Sequence, residues 1–221
     1  MELVVLHYTA MPSCAEALER LCDPLAEVSA HYLIDGDGTV LSLVDEAARA
    51  WHAGAGEWRG AGDVNSRSIG IELANTGREP FAEPQMAALE RLLAGVLERH
   101  GLGPESVIAH SDMAPERKGD PGSRFDWRRL AVQGLVVWPD LTDAPPPQPS
   151  PTGGEGGAMA EMAGFLADLR AFGYPEAAPE ALLTAFRLRF RPWAAGPLDD
   201  TDRALAAGVR RFAVDAPRAD A

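Results

Sequence analysis

The chain opens on Leu3-Val4-Val5-Leu6, a continuous apolar run of the kind a strand buried on both faces shows, and the run stops at His7. Ser13-Cys14-Ala15-Glu16 spells a capping box, and Leu18 and Leu21 recur on one face of the helix it starts. Residues 28–34 and 39–44 read as two strands around Asp35-Gly36-Asp37-Gly38, a hairpin signal. Over 68–74 the pattern alternates, with Ile69, Ile71 and Leu73 on one side and Glu72 on the other. Pro84, then Met86, Leu89, Leu93, Val96 and Leu97, and finally Gly101 describe an amphipathic helix with both ends marked. Val107-Ile108-Ala109 is a short strand ending at His110. This order predicts an α/β domain, a mixed central β-sheet flanked by helices.

The pattern changes at residues 139–158, PDLTDAPPPQPSPTGGEGGA, where proline, glycine and small polar residues leave nothing to bury. Such a stretch predicts a linker, stiff in its proline part and loose in its glycine part. It divides the chain into a first domain over 1–138 and a second over 159–216. In the second, Phe165, Leu166, Leu169 and Phe172 lie at helical spacing. Leu182, Leu183, Phe186 and Phe190 repeat the spacing, as do Leu205, Val209 and Phe212 after Asp199-Asp200-Thr201. Three short helices make a small bundle whose core is barely sufficient by itself.

Composition narrows the choice of partners. Thirty-three acidic against 20 basic residues give a formal net charge of -13, which repels nucleic acid and anionic lipid surfaces. No segment approaches the roughly 18 to 20 apolar residues that span a bilayer. The first seven residues lack the basic region of a secretory signal, so the chain reads as cytoplasmic, or as periplasmic or outer-membrane associated if a leader precedes it. Cys14 and Cys22 make no disulfide framework and lack the spacing of a zinc ribbon. Oligomeric state is not legible.

Five polar residues of the first domain stand out: His7, Glu72, His110, Lys118 and Asp120. His7 and His110 each follow an apolar strand, where a side chain can emerge from a sheet edge into a cleft. Asp120 sits in Lys118-Gly119-Asp120-Pro121-Gly122, whose glycines and proline fix a turn able to bring the carboxylate back toward His110. Lys118 and Asp120, two apart, project to the same side in an extended chain. Two histidines and a carboxylate suit a catalytic zinc ion with one position left for water. Spacing alone leaves the alternative open that these are separate, satisfied polar residues, and that Glu72 lies on a solvated face. Tyr8 and Trp51 are candidates to line a cleft by stacking, with Trp51 equally suited to a core. Asn65 is a candidate contact for a substrate peptide. His31 and His52 read as packing or supporting groups, and His100 as a structural helix end.

The segments LVVLHYTA, VSAHYLIDGDGTV, RAWHAG, NSRSIGIELAN and HSDMAPERKGDPGSRFDW resemble, in order, the type 2 N-acetylmuramoyl-L-alanine amidase family. That family includes phage endolysin amidases and is related to peptidoglycan recognition proteins. The resemblance covers nearly all of the first domain. It implies zinc ligands at His7, His110 and Asp120, Glu72 acting on the attacking water, and Lys118 steadying the transition state. The implied substrate is peptidoglycan or its muropeptide fragments, cut between N-acetylmuramic acid, or its 1,6-anhydro form, and L-alanine. The stretch FGYPEAAPEALLTAFRLRFRPWAAGPLDDTDRAL is similar to a three-helix peptidoglycan-binding-like domain of the outer-membrane branch. In this chain the domain reads either as a wall binder or as a buttress for the first domain. Two rivals to an amidase are a recognition module without catalysis and another zinc hydrolase, a deacetylase or a stem-peptide endopeptidase.

Overall fold

The computed structural model describes residues 1–139 and 155–213. Residues 140–154 of the expected linker and 214–216 of the expected helical domain lie outside the described residues. Five strands form one sheet: β1 (Leu3–Tyr8), β2 (Tyr32–Ile34), β3 (Val40–Ser42), β4 (Ser68–Leu73) and β5 (Val107–Ala109). Their order is β3-β2-β4-β1-β5, with β1, β2, β4 and β5 parallel and β3 antiparallel at one edge. The apolar opening run is therefore the strand between β4 and β5, and Leu3, Val4, Val5 and Leu6 are all fully buried. The hairpin forms around 35–39 but is shorter than its sequence pattern. The stretch before His31 turns away from the ladder, where Ser29 N–H is taken by the Trp51 carbonyl, tying it to the loop at 48–52, while His31 N–H still reaches the Gly70 carbonyl.

The helices are α1 (Cys14–Cys22), α2 (Glu83–His100), α3 (His110–Met113), α4 (Trp127–Val132), α5 (Glu155–Phe172), α6 (Pro179–Phe190) and α7 (Asp200–Val209). Ser13 caps α1, its hydroxyl accepting from the Glu16 N–H as the capping box requires. Gly101, at φ 63°, closes α2, whose last residue, His100, meets the Glu46 carboxylate at 2.7 Å. The one-turn helix α3 and the two-turn α4 went unread in the sequence, being too short to show a period of 3.6 residues.

The two faces of the sheet have different covers. Val4, Leu6, Ile69, Ile71 and Leu73 pack with Met86, Leu89, Leu93 and Val96 of α2. Leu3, Val5 and Ile108 point the other way and share a second apolar cluster with Phe165, Phe172, Phe186 and Phe190 of α5 and α6 and with Leu205 and Val209 of α7. The three C-terminal helices thus supplement a small core of their own with the sheet face and with Trp58, which is fully buried against Phe172 and Tyr174. No helix among the described residues is long and apolar enough to cross a membrane.

Candidate active site

Strand register alone puts two of the five candidates side by side. His7 on β1 pairs with Glu72 on β4, and residues in register on neighbouring strands share a face. Leu6 pairs with Ala109, so His110 leaves the end of β5 beside His7. The crevice beyond the carboxyl ends of parallel strands is where open α/β sheets receive ligands. Here it is a cavity of about 410 Å³ lined by His7, Tyr8, Trp51, Glu72, Lys118 and Asp120, among others.

Three side-chain atoms able to bind a metal ion converge in it. His7 Nδ1 lies 2.9 Å from His110 Nδ1 and 2.9 Å from Asp120 Oδ2, and His110 Nδ1 lies 3.0 Å from the same oxygen. All three residues are buried. The turn at 117–122 returns Asp120 to this point, with the Ser111 N–H donating to the Asp120 carbonyl at 3.1 Å. Lys118 reaches the same cavity from a turn rather than from extended chain, because its N–H bonds back to the Ala114 carbonyl.

The outer hydrogen bonds decide where the imidazole protons are. Ser68 Oγ donates its one hydrogen to the Val64 carbonyl at 2.5 Å, so toward His52 Nε2, 3.3 Å away, it can only accept. His52 therefore carries its proton on Nε2, and its bare Nδ1 accepts from His7 Nε2 at 3.0 Å. His7 is left with a bare Nδ1. His110 Nε2 faces the Ala53 carbonyl at 2.8 Å and donates to it, which turns its Nδ1 toward His7 and Asp120. Burial and the neighbouring His110 hold His7 down to about 4, and burial first, then His7, hold His52 well below the usual histidine range. Both rings are neutral at neutral pH.

Two imidazole nitrogens and a carboxylate oxygen lie within 3.0 Å of one another and are turned toward one point. That arrangement can hold a cation. Ligand atoms on a tetrahedron with bonds of about 2.0–2.1 Å are about 3.3 Å apart, close to the spacing here. His7, His110 and Asp120 form the group among the described residues that could hold a metal ion.

Glu72 stands beside them with an orphan. Its Oε2 is buried without a hydrogen-bond partner among the described residues, although the residue as a whole keeps some exposure at the cavity mouth. Burial, helped by the Asp120 charge and opposed by Lys118, pushes the carboxyl up to about 8. Its strand neighbour Gly70 is glycine for a steric reason: a Cβ there would lie 2.3 Å from the His52 ring. His31 anchors the same strand from below, Nδ1 accepting the Gly70 N–H at 2.9 Å and Nε2 donating to the Ala48 carbonyl at 3.1 Å.

The remaining candidates divide. Tyr8 is wedged at the mouth between Gly77 and Gly122, both at positive φ, where a Cβ would come within 2.8 and 3.3 Å of its ring. Trp51 is 51% exposed and lines the cavity, so it is not a core residue. Asn65 is buried, and its Oδ1 accepts the N–H groups of His52 and Ala53 at 3.0 and 2.8 Å, which moors the loop carrying His52. It also lines a lobe of about 330 Å³ that shares Trp51, His110 and Lys118 with the main cavity. Arg117, unremarked in the sequence, donates to the carbonyls of Ala53 and Ala55 and fixes that same loop from the other side.

Comparison with known proteins places this geometry. Residues 1–123 match the family model described as N-acetylmuramoyl-L-alanine amidase. The N-acetylmuramoyl-L-alanine amidase AmiD of Escherichia coli K12 is 36% identical, over 87% of this chain and 75% of its own length. A solved complex of AmiD from E. coli with anhydro-N-acetylmuramic acid-L-Ala-D-gamma-Glu-L-Lys superposes with a TM-score of 0.82 at 34% identity, covering 96% of this chain and 89% of that one. AmpDh3 from Pseudomonas aeruginosa, in complex with anhydromuramic pentapeptide, does so with a TM-score of 0.78 at 29% identity, covering 96% and 91%. With its α/β sheet, its C-terminal helices and the His7–His110–Asp120 cluster at the strand ends, the chain belongs to the N-acetylmuramoyl-L-alanine amidase family.

Proposed function

We propose that this protein is a zinc-dependent amidase that hydrolyses the bond between N-acetylmuramic acid, or its 1,6-anhydro form, and L-alanine, in peptidoglycan turnover and recycling. The observation that carries the reading is the convergence of two imidazole nitrogens and a carboxylate oxygen beside the unpartnered oxygen of Glu72. Two imidazoles and one carboxylate are a donor set that zinc hydrolases use, with a position left open for the reaction. His7, His110 and Asp120 would hold the ion. Bound there, zinc supplies Lewis acidity, polarising the scissile carbonyl and making water a stronger acid.

The protein's own residues supply the proton movements. Glu72 takes a proton from the attacking water and passes it to the leaving L-alanine nitrogen. Its raised affinity for a proton, which a nearby cation would moderate, suits a group that must both accept and return one. Lys118 sets a positive charge beside the oxyanion that develops on the carbonyl oxygen, and in a partly dry cleft that charge acts strongly. Tyr8 and Trp51 offer aromatic faces to sugar or peptide at the mouth. Asn65, its oxygen already engaged, has only its amide N–H groups to offer a substrate.

The complexes of AmiD and AmpDh3 with anhydro-muropeptides support soluble fragments as substrate. Incubating the purified chain with an anhydro-muropeptide and with whole sacculi, and weighing the products by mass spectrometry, tests both points. Release of an intact L-alanyl peptide, abolished by chelator and restored by zinc, is the expected result. Loss of acetate, or a cut within the stem peptide, would replace the amidase by a deacetylase or an endopeptidase. Binding without cleavage would make it a recognition module.

A further inference from the structure

Two residues after His110, the one-turn helix α3 carries Asp112, which is fully buried. Its carboxylate is gripped from three sides. Oδ2 accepts the Ala109 N–H at 2.9 Å and Arg189 Nη1 at 2.7 Å, and Oδ1 accepts the Tyr174 hydroxyl at 2.6 Å. The first bond is local. The other two come from the C-terminal helices, Arg189 from α6 and Tyr174 from the turn before it.

Arg189 reaches further, its Nη2 donating to the Val107 carbonyl at 3.2 Å. It therefore ties the first residue of β5 to the third residue of α3, across the joint that presents His110. The guanidinium, 1% exposed, is held flat by ring contacts with Trp127 at 4.5 Å and Phe190 at 5.1 Å. Tyr174 is seated as firmly. The preceding Gly173 gives its carbonyl to the Arg59 N–H at 2.8 Å, and lies so close to Trp58 that a Cβ would stand 2.7 Å from its ring. None of these groups lines the cavity around the metal ligands.

Buried ion pairs are a poor source of stability compared with apolar packing, and their better-attested use is to fix one geometry among several. The geometry fixed here is that of a metal ligand. The same turn holds a second ligand, because Ser111 N–H bonds to the Asp120 carbonyl at 3.1 Å. A shift of α3 would move both His110 and Asp120. We propose that Arg189 and Tyr174 are positioning residues for the metal centre, holding α3 through Asp112 so that His110 and Asp120 stay aimed at one point. The three C-terminal helices then act as part of the scaffold of the reaction site. This rests on the reading of His110 and Asp120 as metal ligands.

The test uses the full chain and two conservative variants, Tyr174→Phe, which removes one hydroxyl and keeps the ring, and Arg189→Lys, which keeps the charge and loses the double reach. Zinc dissociation constants from chelator competition, the visible spectrum of the cobalt-loaded chain, kcat and KM are measured at a temperature where circular dichroism shows each chain folded. The expected result is zinc binding weakened about 10-fold in Tyr174→Phe, the order seen when groups supporting ligands are removed, and more in Arg189→Lys. Cobalt bands should shift, and kcat should fall while KM holds. Folded variants with wild-type zinc affinity and an unchanged cobalt spectrum would overturn the proposal, even if they melted earlier. Should Arg189→Lys not fold, Tyr174→Phe decides alone. A wild-type chain that binds no zinc would instead overturn the metal reading itself, and the proposal with it.

Discussion

Replacing Glu72 by glutamine should abolish turnover and yet stabilise the metal-free chain, by an amount that grows with pH. In the unfolded chain this carboxyl titrates at about 4.5, whereas in the fold burial pushes it up to about 8. Between those values the native state binds the extra proton, so stability contributed by Glu72 is fully present below 4.5 and is lost as pH rises through 8. At about 1.4 kcal/mol for each tenfold change in proton affinity, the gap between 4.5 and about 8 costs about 5 kcal/mol once the group is ionised. The same calculation at pH 5 leaves about 1 kcal/mol. Glutamine has the same shape and no charge, so the variant escapes this cost. A chain of this size moves its Tm by about 2–4 °C per kcal/mol. After chelation, Glu72→Gln should therefore melt about 10 °C higher relative to wild type at pH 8.5 than at pH 5. Scanning fluorimetry on the two chelated proteins at both pH values reads this directly. Added zinc should shrink the offset, because a cation near the carboxylate removes most of its cost. An offset that is the same at both pH values would refute the burial of Glu72 as described here.

The tautomer chain makes its own demands. Ser68→Ala removes the acceptor for His52 Nε2 and frees the proton that orients His7, so zinc affinity should fall about 10-fold with only a modest loss of stability, as chelator competition would show. Gly70→Ala places a methyl 2.3 Å from the His52 ring and should cut kcat at least about 10-fold, since displacements of about 1 Å near a site carry costs of this order or larger. Asn65→Ala strands two buried N–H groups, at about 1–3 kcal/mol each, and should lower the denaturation midpoint. If that variant kept its stability and only KM rose, Asn65 would be a substrate contact rather than a mooring for the His52 loop.

What the sequence revealed follows from how local each signal is. The opening apolar run, the capping box before α1 and the proline and glycine that bound α2 act within one or two turns of chain, and each element formed where its pattern lies. The alternation around Glu72 correctly turned that residue away from Ile69, Ile71 and Leu73. Convergence is a different matter. Nothing in the spacing of His7, His110 and Asp120 brings them within 3.0 Å, which takes the pairing of β5 beside β1 and the turn at 117–122. The resemblance to a known family supplied that step. The roles of Ser68 and Arg117 were hidden because a hydroxyl or guanidinium bonded to a backbone carbonyl leaves no pattern in the chain. Arg189 and Asp112 are 77 residues apart, and nothing local to either one points to the other. Trp51 shows the limit for aromatic residues, whose size suits a core and a cleft equally until exposure is known.

Metal content against catalysis tests the central claim most directly. Full-length wild type, Glu72→Ala and His110→Ala are loaded with zinc, freed of excess and assayed for bound metal and for release of L-alanyl peptide. The expected result is one zinc per chain in wild type and in Glu72→Ala, with turnover lost by about 10²–10⁴-fold in the latter and both metal and turnover lost in His110→Ala. A Glu72→Ala chain that cleaves at the full rate, or a His110→Ala chain that keeps its zinc, would contradict it.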